Sequence, residues 1–347
     1  MGPIVTAKRP TLADVAARAG VSTAVVSYVL NDGPRPVSEA SRAKVIEAAD
    51  ELQYRPDRLA RALRRPRRWR QVGLLVPDLT MPLYAALVGR TEIHARARDH
   101  LTMIGNTGYD PEREREFVTA FADVGIDGLI VVGAVDPSAT SAICARARMP
   151  VVWVHNTRNA VDSPIVGADH VAAGRLAAEH LTEVHGCRDI AFVGGTTAED
   201  VRYGDRETVI QRYRGFTGVA GESAPLIRTD LTADGAYRRV TEYLRTCDEP
   251  PHGMVVATNA QAAAALRAIT DAGLDVPDRI RVVGFDASPA QLFGQITLTA
   301  VQQPIDAITQ LALDRLLLTA PDPAETDIPT PMPVTVQRGE SCGCGTT

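Results

Sequence analysis

Residues 11–30 read TLADVAARAGVSTAVVSYVL, and this stretch predicts two short helices joined by a tight turn. Thr11 can cap the first helix, and Asp14, three positions later, completes a variant capping box. Gly20 is typical of a helix end, and Ser22 can cap the second helix. Two helices joined in this way indicate a helix-turn-helix, whose second helix lies in the major groove of DNA. An ordinary helical hairpin is the alternative interpretation.

A third helix is predicted to follow the turn at residues 31–36, with Ser38 as its cap. Its apolar positions recur at helical spacing, so one face should lie against the first two helices. The residues predicted for this inner face are Val45, Ile46, Ala49 and Leu52.

A short basic segment comes next. Pro56 suits the first turn of a helix, but residues 56–63 are too few to form a stable helix alone. The arginine-rich stretch 64–71 is typical of a solvated linker. On DNA, the marginal helix could become ordered and insert Leu63 between base pairs from the minor groove.

Charge is distributed very unevenly along the chain. Residues 1–70 hold 14 Lys and Arg against 7 Asp and Glu, whereas residues 71–347 hold 23 against 35. The cationic part can neutralise phosphates, and the anionic part is repelled by them. Nucleic-acid binding is therefore expected of the first 70 residues only.

Composition limits the class of protein. The 347 residues are 45% hydrophobic and 23% charged, which is enough for two or three domains with a large core. Five Cys do not make a disulfide framework, and this is typical of a reducing compartment. Residues 1–10 lack the apolar run of a secretory signal, and no stretch reaches about 18 apolar residues. We expect a cytoplasmic, nucleoid-associated protein that has no membrane contact.

Two cysteines stand near the carboxyl terminus, where Cys342 and Cys344 flank Gly343. A Cys-x-Cys pair can bind metal, but a structural zinc site needs four ligands. The sequence shows no second Cys or His cluster that would complete the set, so we expect no metal and no cofactor.

From residue 72 onward, apolar runs alternate with helical stretches. Strands without polar alternation are buried on both faces, which predicts parallel sheets in an α/β fold. The predicted strands are Val72–Val76, Gly128–Val132, Val151–Val154, Ile190–Val193, Met254–Ala257 and Val282–Phe285, and the predicted helices are Tyr84–Asp99, Arg113–Val124, Val171–Val184 and Gln261–Ala272.

Polar residues follow several of these strands, where ligands bind in open α/β sheets. Two such sheets would leave a cleft between them, and a sugar or purine would find convergent donors and acceptors there. Each residue alone also has a structural explanation, such as capping the next helix. The strand-end residues are Asp78 to Tyr84, His155 with Asn156, Gly194 with Gly195, Thr258 with Asn259, and Asp286.

The first 63 residues resemble the lac repressor (LacI) family of bacterial transcription regulators. The resemblance is carried by the motif within residues 11–31, by Val37-Ser38 and Leu52-x-Tyr54-x-Pro56, and by Ala60-x-x-Leu63. In the rest of the chain it is carried by Asp127-Gly128-Leu129-Ile130, residues 169–181, Arg212-x-x-Gly215-Phe216, residues 265–269, Val276-Pro277, Val283-Gly284-Phe285-Asp286 and Gln303-Pro304.

The resemblance implies a helix-turn-helix headpiece followed by an effector domain akin to periplasmic sugar-binding proteins. The expected boundaries are a headpiece at 1–63 with a hinge helix at 56–63, a basic linker at 64–71, an effector and dimerisation domain at 72–340, and a tail at 341–347. Within the effector domain, the first subdomain covers about 72–168 plus 300–325, and the second about 169–299 plus 330–338.

The family also implies a homodimer that binds a near-palindromic operator in double-stranded DNA. By position, Thr23, Ala24 and Tyr28 would read bases, and many members carry arginine where this chain has Tyr28. The other expected DNA contacts are Thr11, Ser22, Ser27, Asn31, Arg58, Ala60 and Leu63.

A small effector, most simply a sugar or a related metabolite, is expected to control DNA binding, usually in a repressor. The family often has Asp where this chain has His155, and Asn-Asp where it has Thr258-Asn259. The effector contacts carried over by position are Met81, Leu83, Tyr84, His155, Arg212, Thr258, Asn259, Asp286 and Gln303.

A solute-binding protein and an α/β enzyme are the alternative classes of protein. A solute-binding protein would need neither the basic head nor the helix-turn-helix. An α/β enzyme would be expected to carry a dinucleotide or phosphate loop, a Gly-x-Ser-x-Gly elbow or metal-ligand spacing, and the sequence shows none of these. We therefore expect a regulator and not an enzyme.

Overall fold

The computed structural model describes residues 10–30, 37–52, 54, 70–155, 165–202, 204–288, 296–317 and 331–345. The chain divides into two compact units, residues 1–68 and 69–347, called the head and the body below. The predicted hinge segment at 56–63 lies outside the described residues, as do residues 64–69 of the predicted linker.

The head contains three helices, α1 (Leu12–Ala19), α2 (Thr23–Leu30) and α3 (Glu39–Glu51). The predicted capping box is confirmed: the Thr11 amide donates to Asp14 Oδ2 at 2.7 Å, and the Asp14 amide donates to Thr11 Oγ1 at 3.3 Å. Gly20 ends α1 in the left-handed region, with φ of 66°. The axes of α1 and α2 then differ by 105°, an angle typical of a helix-turn-helix.

The prediction that Ile46 lies in the head core is wrong. Ile46 is 46% exposed, whereas Val45, Ala48 and Ala49 are buried against α1 and α2. Successive helical residues are about 100° apart, so a buried stripe through 45, 48, 49 and 52 turns residue 46 away. The core is completed by Val15, Ala16, Ala19, Val26 and Val29.

None of the described helices is by itself long and apolar enough to cross a membrane. The helices α1 and α2 meet that standard of length and composition only when they are counted together across their 105° bend.

The body contains two sheets, each at the centre of one lobe. The first lobe has a five-stranded parallel sheet in the order β2-β1-β3-β4-β5. Helices α4 and α11 pack on one face of this sheet, and α5 and α6 pack on the other. The elements are β1 (Arg70–Val76), α4 (Pro82–Arg96), β2 (His100–Asn106), α5 (Pro111–Val124), β3 (Gly128–Val132), α6 (Pro137–Ala147), β4 (Val151–Val154), β5 (Ile165–Val166) and α11 (Ile305–Leu317).

The second lobe has a six-stranded sheet in the order β11-β10-β9-β8-β6-β7. It is parallel except for β11, which pairs antiparallel with β10. Helices α7 and α8 cover one face, and α9 and α10 cover the other. The elements are α7 (His170–Glu179), β6 (Ile190–Gly194), α8 (Arg206–Ala220), β7 (Leu226–Arg228), α9 (Ala233–Thr246), β8 (Gly253–Val256), α10 (Asn259–Asp271), β9 (Arg281–Phe285), β10 (Thr299–Gln302) and β11 (Thr335–Gln337).

The predicted parallel α/β architecture is confirmed, and every strand predicted from an apolar run is present. The chain crosses back to the first lobe slightly later than the expected boundary at about 300. Residues 299–301 pair with β9, so β10 belongs to the second sheet and the crossing follows Gln302.

Two glycines allow α7 and α8 to touch through their backbones. A Cβ on Gly215 would lie 1.9 Å from the carbonyl oxygen of Val171, and one on Gly174 would lie 1.8 Å from that of Arg212. Distances this short leave no room for a methyl group. The two glycines therefore fix α8 on α7 and with it the position of Arg212.

We predict that Gly215→Ala lowers the free energy of unfolding by about 1–3 kcal/mol, because the added methyl group must push α8 off α7. Chemical denaturation of the full chain measures this change. The matched control is Gly218→Ala on the same helix, where nothing lies within 4 Å of the new Cβ. The control should be neutral or stabilising by up to about 1 kcal/mol. Equal destabilisation by both changes would contradict the close packing.

Candidate functional site

The head presents the beginning of α2 to solvent. Thr23 and Ala24 are exposed, and Ser27 and Tyr28 are half-buried. Ser22 is exposed, and its Oγ accepts a hydrogen bond from the Val25 amide at 3.3 Å, so it caps α2 as predicted. All of these side chains are near the first turn and a half of α2, the part of a recognition helix that meets base edges.

Thr11 is exposed and has a structural role already, since its hydroxyl donates to Asp14 Oδ2 at 2.7 Å. Four of the other expected DNA contacts, namely Asn31, Arg58, Ala60 and Leu63, lie outside the described residues.

The body contains a cavity of about 580 Å³ between its two lobes. Its walls come from residues that follow the carboxyl ends of β1, β2, β4, β7, β8 and β9, and from the first turns of α4 and α8. This is the position that the sequence predicts for a ligand site. The lining residues are Pro77, Asp78, Met81, Pro82, Leu83, Tyr84, Asn106, Gly108, Tyr109, His155, Gly204, Asp205, Thr208, Val209, Arg212, Asp230, Leu231, Thr232, Thr258, Asn259, Ala260 and Asp286.

Most of the expected effector contacts come together in this cavity. Met81, Leu83, Tyr84, His155, Arg212, Thr258, Asn259 and Asp286 all line it. Gln303 is not part of the lining. It lies behind Asp286, to which its backbone amide donates at 3.1 Å and its side-chain amide at 2.8 Å.

The strand end at Gly194 and Gly195 does not contribute to the cavity wall. A Cβ on Gly195 would lie 2.2 Å from the carbonyl oxygen of Thr229, so this turn is closed by its neighbours. The Gly-Gly pair therefore serves close packing. Asn156 lies outside the described residues.

A buried ion pair forms one side of the cavity. The Arg212 Nη2 group donates to Asp286 Oδ2 at 3.1 Å, and Nη1 donates to the carbonyl oxygen of Ala257 at 2.7 Å. The guanidinium also lies 4.1 Å from the ring centre of Phe285. Asp286 thus receives donors from both Arg212 and Gln303, which offsets the cost of burying its charge.

One donor of Arg212 is left over. Its side chain is almost fully buried, and its Nε has no hydrogen-bond partner among the described residues. Burial lowers the pKa of Arg212 below its usual value, although the Asp286 carboxylate opposes this change. A buried donor without a partner costs free energy.

A second pair of polar residues joins the two lobes. His155, at the end of β4, places its Nε2 2.6 Å from Asp205 Oδ2 at the beginning of α8. Asp205 also caps α8, since its Oδ1 accepts from the Thr208 amide at 3.1 Å. Burial raises the pKa of Asp205, but His155 and Thr208 outweigh burial and hold it below its usual value. The carboxylate is therefore charged.

Asp205 is not among the residues predicted from the sequence. It lies in the long loop before α8 and follows no apolar run, so the strand-end rule does not select it. The signal that could have identified it is its position three residues before Thr208, which is typical of a helix cap.

A second histidine lies behind this pair. His170, the first residue of α7, is buried, and its ring is 5.0 Å from that of His155. Neither ring nitrogen has a hydrogen-bond partner among the described residues. Burial, Arg212 and His155 hold the pKa of His170 well below its usual value, so its ring is neutral at pH 7.

The first lobe contributes two tyrosines to the cavity wall. The hydroxyl groups of Tyr84 and Tyr109 lie 3.0 Å apart, and the Tyr84 ring meets His155 edge-on at 6.1 Å between centroids. Burial and Tyr109 raise the pKa of Tyr84, which is therefore neutral. Tyr109, like Asp205, lies outside the predicted strand-end set.

The charges of the cavity disfavour an anionic ligand. Four lining residues carry carboxylates, while Arg212 is the one lining Lys or Arg in the described part of the chain, and it is already paired with Asp286. An anionic ligand would be repelled by this excess of negative charge. The four residues are Asp78, Asp205, Asp230 and Asp286.

Comparison with known proteins finds a family model that matches part of the head and another that matches part of the body. The family model of bacterial regulatory proteins of the lacI family matches residues 11–57, and that of a periplasmic binding protein-like domain matches residues 178–342. The chain is 31% identical over 344 residues to the ribose operon repressor of Halalkalibacterium halodurans, covering 95% of this chain and 98% of that protein. The chain belongs to the LacI family. It is accordingly a DNA-binding transcription regulator, and the resemblance seen in the sequence is confirmed.

Other LacI-family proteins match over similar lengths. Catabolite control protein A of Priestia megaterium is 28% identical over 307 residues, which are 88% of this chain and 91% of that protein. A crystal structure of the lac repressor dimer bound to operator and the anti-inducer ONPF has 25% sequence identity. It covers 96% of this chain and 99% of that chain, with a TM-score of 0.69. These relatives are regulators and not enzymes.

We predict that Arg212→Met lowers the free energy of unfolding by about 3–5 kcal/mol, because it leaves the Asp286 carboxylate buried without a cation. Adding Asp286→Asn should recover part of this loss, since the double variant buries no unpaired charge. Chemical denaturation of the single and double variants measures both effects. Strictly additive destabilisation would show that the two side chains do not depend on each other.

Proposed function

We propose that this LacI-family protein is a repressor that binds a near-palindromic operator as a homodimer. An uncharged, hydroxyl-rich small molecule, a sugar or a close relative, binds between the lobes of the body and controls the affinity for DNA.

The observation that carries the DNA-binding part is the exposed beginning of α2 at 105° to α1. Thr23 and Ala24 are open to solvent there, and the buried side of α2 packs on α1 and α3. A helix presented in this way can enter the major groove with its first residues against base edges. The surplus of basic residues in the first 70 positions supplies attraction to phosphates.

The dimer is supported by the same geometry and by a relative. One helix-turn-helix reads only a few base pairs, so two copies related by a twofold axis are needed for a long site. The related lac repressor was crystallised as a dimer bound to operator. A twofold dimer reads a near-palindromic sequence, because each half-site meets the same residues.

The ligand part rests on the cavity. A volume of about 580 Å³ lies within the range of small-molecule sites, and its wall combines tyrosines with the Arg212–Asp286 and His155–Asp205 pairs. Sugars present hydroxyl groups that both donate and accept, together with apolar ring faces. The ribose operon repressor among the relatives is consistent with a sugar.

Because both lobes line the cavity, a ligand that touches both favours one arrangement of the lobes over another. A ligand changes DNA affinity only by the difference in its own affinity for the two arrangements. The hinge segment 56–63, expected from the sequence to fold on DNA, is the element through which such a change would act.

We predict that Thr23→Val weakens binding to the operator by roughly tenfold, since one lost base contact costs on the order of 1–3 kcal/mol. Binding to a scrambled duplex of equal length should not change, because phosphate contacts remain. Fluorescence anisotropy with DNA from upstream of the gene, at constant salt, measures both. Thr119→Val, the same change at an exposed position of α5, is the control. An unaltered preference for the operator would refute base reading by Thr23.

We also predict that neutral sugars or nucleosides raise the melting temperature, whereas the corresponding phosphates do not, because four carboxylates line the cavity. Asp286→Asn should abolish the shift and the effect of the ligand on operator release, but not operator binding itself. A thermal-shift screen followed by anisotropy tests this. A stronger shift with sugar phosphates would contradict the proposed ligand class.

A further inference from the structure

Four potential metal ligands meet in the second lobe, far from the cavity residues in sequence. His180 and His185 lie at the end of α7, and Cys342 and Cys344 lie in the carboxyl-terminal tail. One ligand atom from each residue lies within 4.8 Å of all the others. The expectation that no histidine cluster completes the Cys-x-Cys pair is therefore wrong.

Three nitrogen–sulfur contacts in the cluster fit the edges of a tetrahedron around one ion. The His180 Nε2 atom lies 3.3 Å from Cys342 Sγ and 3.5 Å from Cys344 Sγ, and His185 Nε2 lies 3.3 Å from Cys344 Sγ. Zinc bonds of about 2.3 Å to sulfur and about 2.0–2.1 Å to nitrogen give nitrogen–sulfur edges of about 3.5 Å in a tetrahedron. Only small side-chain rotations would be needed.

The backbone explains why the two histidines converge. Residues five apart in an α-helix point about 140° away from each other. Here the chain from His180 to Val184 forms a π-helical turn, whose i to i+5 hydrogen bonding brings such residues to the same side. The two imidazole rings are accordingly only 4.9 Å apart between centroids.

The tail is held in position independently of the cluster. Ser341 Oγ donates to the carbonyl oxygen of Val282 at 2.6 Å and accepts from the Thr299 amide at 2.9 Å. The Thr299 hydroxyl lies 2.9 Å from Cys342 Sγ. Gly343, with φ of 92°, then turns the chain back so that Cys344 comes beside Cys342. The site is thus built by fixed backbone and has a hydrogen-bond donor behind one sulfur, as metal sites commonly have.

We propose that His180, His185, Cys342 and Cys344 bind one zinc-class divalent cation. Two neutral imidazoles and two thiolates around a divalent ion give a net charge of zero, which suits a site where His180 and Cys342 are buried. Two sulfur and two nitrogen ligands in a tetrahedron select zinc over magnesium or calcium. Four protein ligands leave no open position, so the ion has a structural role and ties the tail to the end of α7.

The test uses the full-length protein, purified without a histidine tag, stripped of metal by a chelator and titrated with Co²⁺ under reducing conditions. One Co²⁺ per chain should bind with the intense visible bands of tetrahedral cobalt and with thiolate-to-cobalt charge transfer. Zn²⁺ should then displace it stoichiometrically. A weak octahedral spectrum without charge transfer, or Zn²⁺ binding that leaves the melting temperature of the chain unchanged, would overturn the proposal.

The variants are Cys344→Ser and His185→Ala, both at half-buried positions that the fold should tolerate. Each should weaken Co²⁺ binding by more than roughly 100-fold, because even partners outside the ligand shell cost about 10–100-fold. Cys247→Ser, at a half-buried thiol on another helix end, is the matched control and should bind like the parent chain. Circular dichroism verifies that each variant is folded. Parent-like Co²⁺ binding in Cys344→Ser, or an equal loss in Cys247→Ser, would refute the site.

Discussion

Burial of the sheets on both faces is the constraint on which the body depends. Because helices cover each sheet on two sides, nearly every side chain within the central strands must be apolar, as in β3, β6 and β8. Polar side chains can therefore be placed only beyond the ends of the strands. Parallel strands end at the same edge, so this rule alone gathers polar side chains from separate parts of the chain into one cavity.

The Arg212–Asp286 pair shows what such a cavity demands of the rest of the fold. A guanidinium can be buried only if its charge and its donors are matched, here by Asp286, the Ala257 carbonyl group and the Phe285 ring. These contacts offset the cost of burying the guanidinium only if the partners are held at fixed distances. The backbone contact of α7 and α8 at Gly174 and Gly215 supplies that precision, so two residues without side chains determine where the cation lies.

The sequence predicted what periodicity and helix caps control, and it failed where distant segments meet. The central strands, the capping box at Thr11 and seven of the expected residues that line the cavity follow from local patterns, whereas Arg212 was expected only from the family resemblance. Asp205 and Tyr109 were missed because loops without a periodic pattern carry them to the cavity. The metal cluster was missed for a stronger reason: His180 and Cys342 are 162 positions apart, and a π-helical turn is needed to align the histidines.

The cluster and the cavity lie at opposite ends of the same two strands. Ser341 bonds to Val282 near the beginning of β9 and to Thr299 at the beginning of β10, whereas Asp286 and Gln303 follow the carboxyl ends of those strands. Strands are stiff along their length because their backbone hydrogen bonds continue on both sides. An ion that secures the tail would therefore restrain the strand ends that hold the buried carboxylate, although it lies outside the cavity. Metal binding and ligand binding would then stabilise the same lobe through separate contacts.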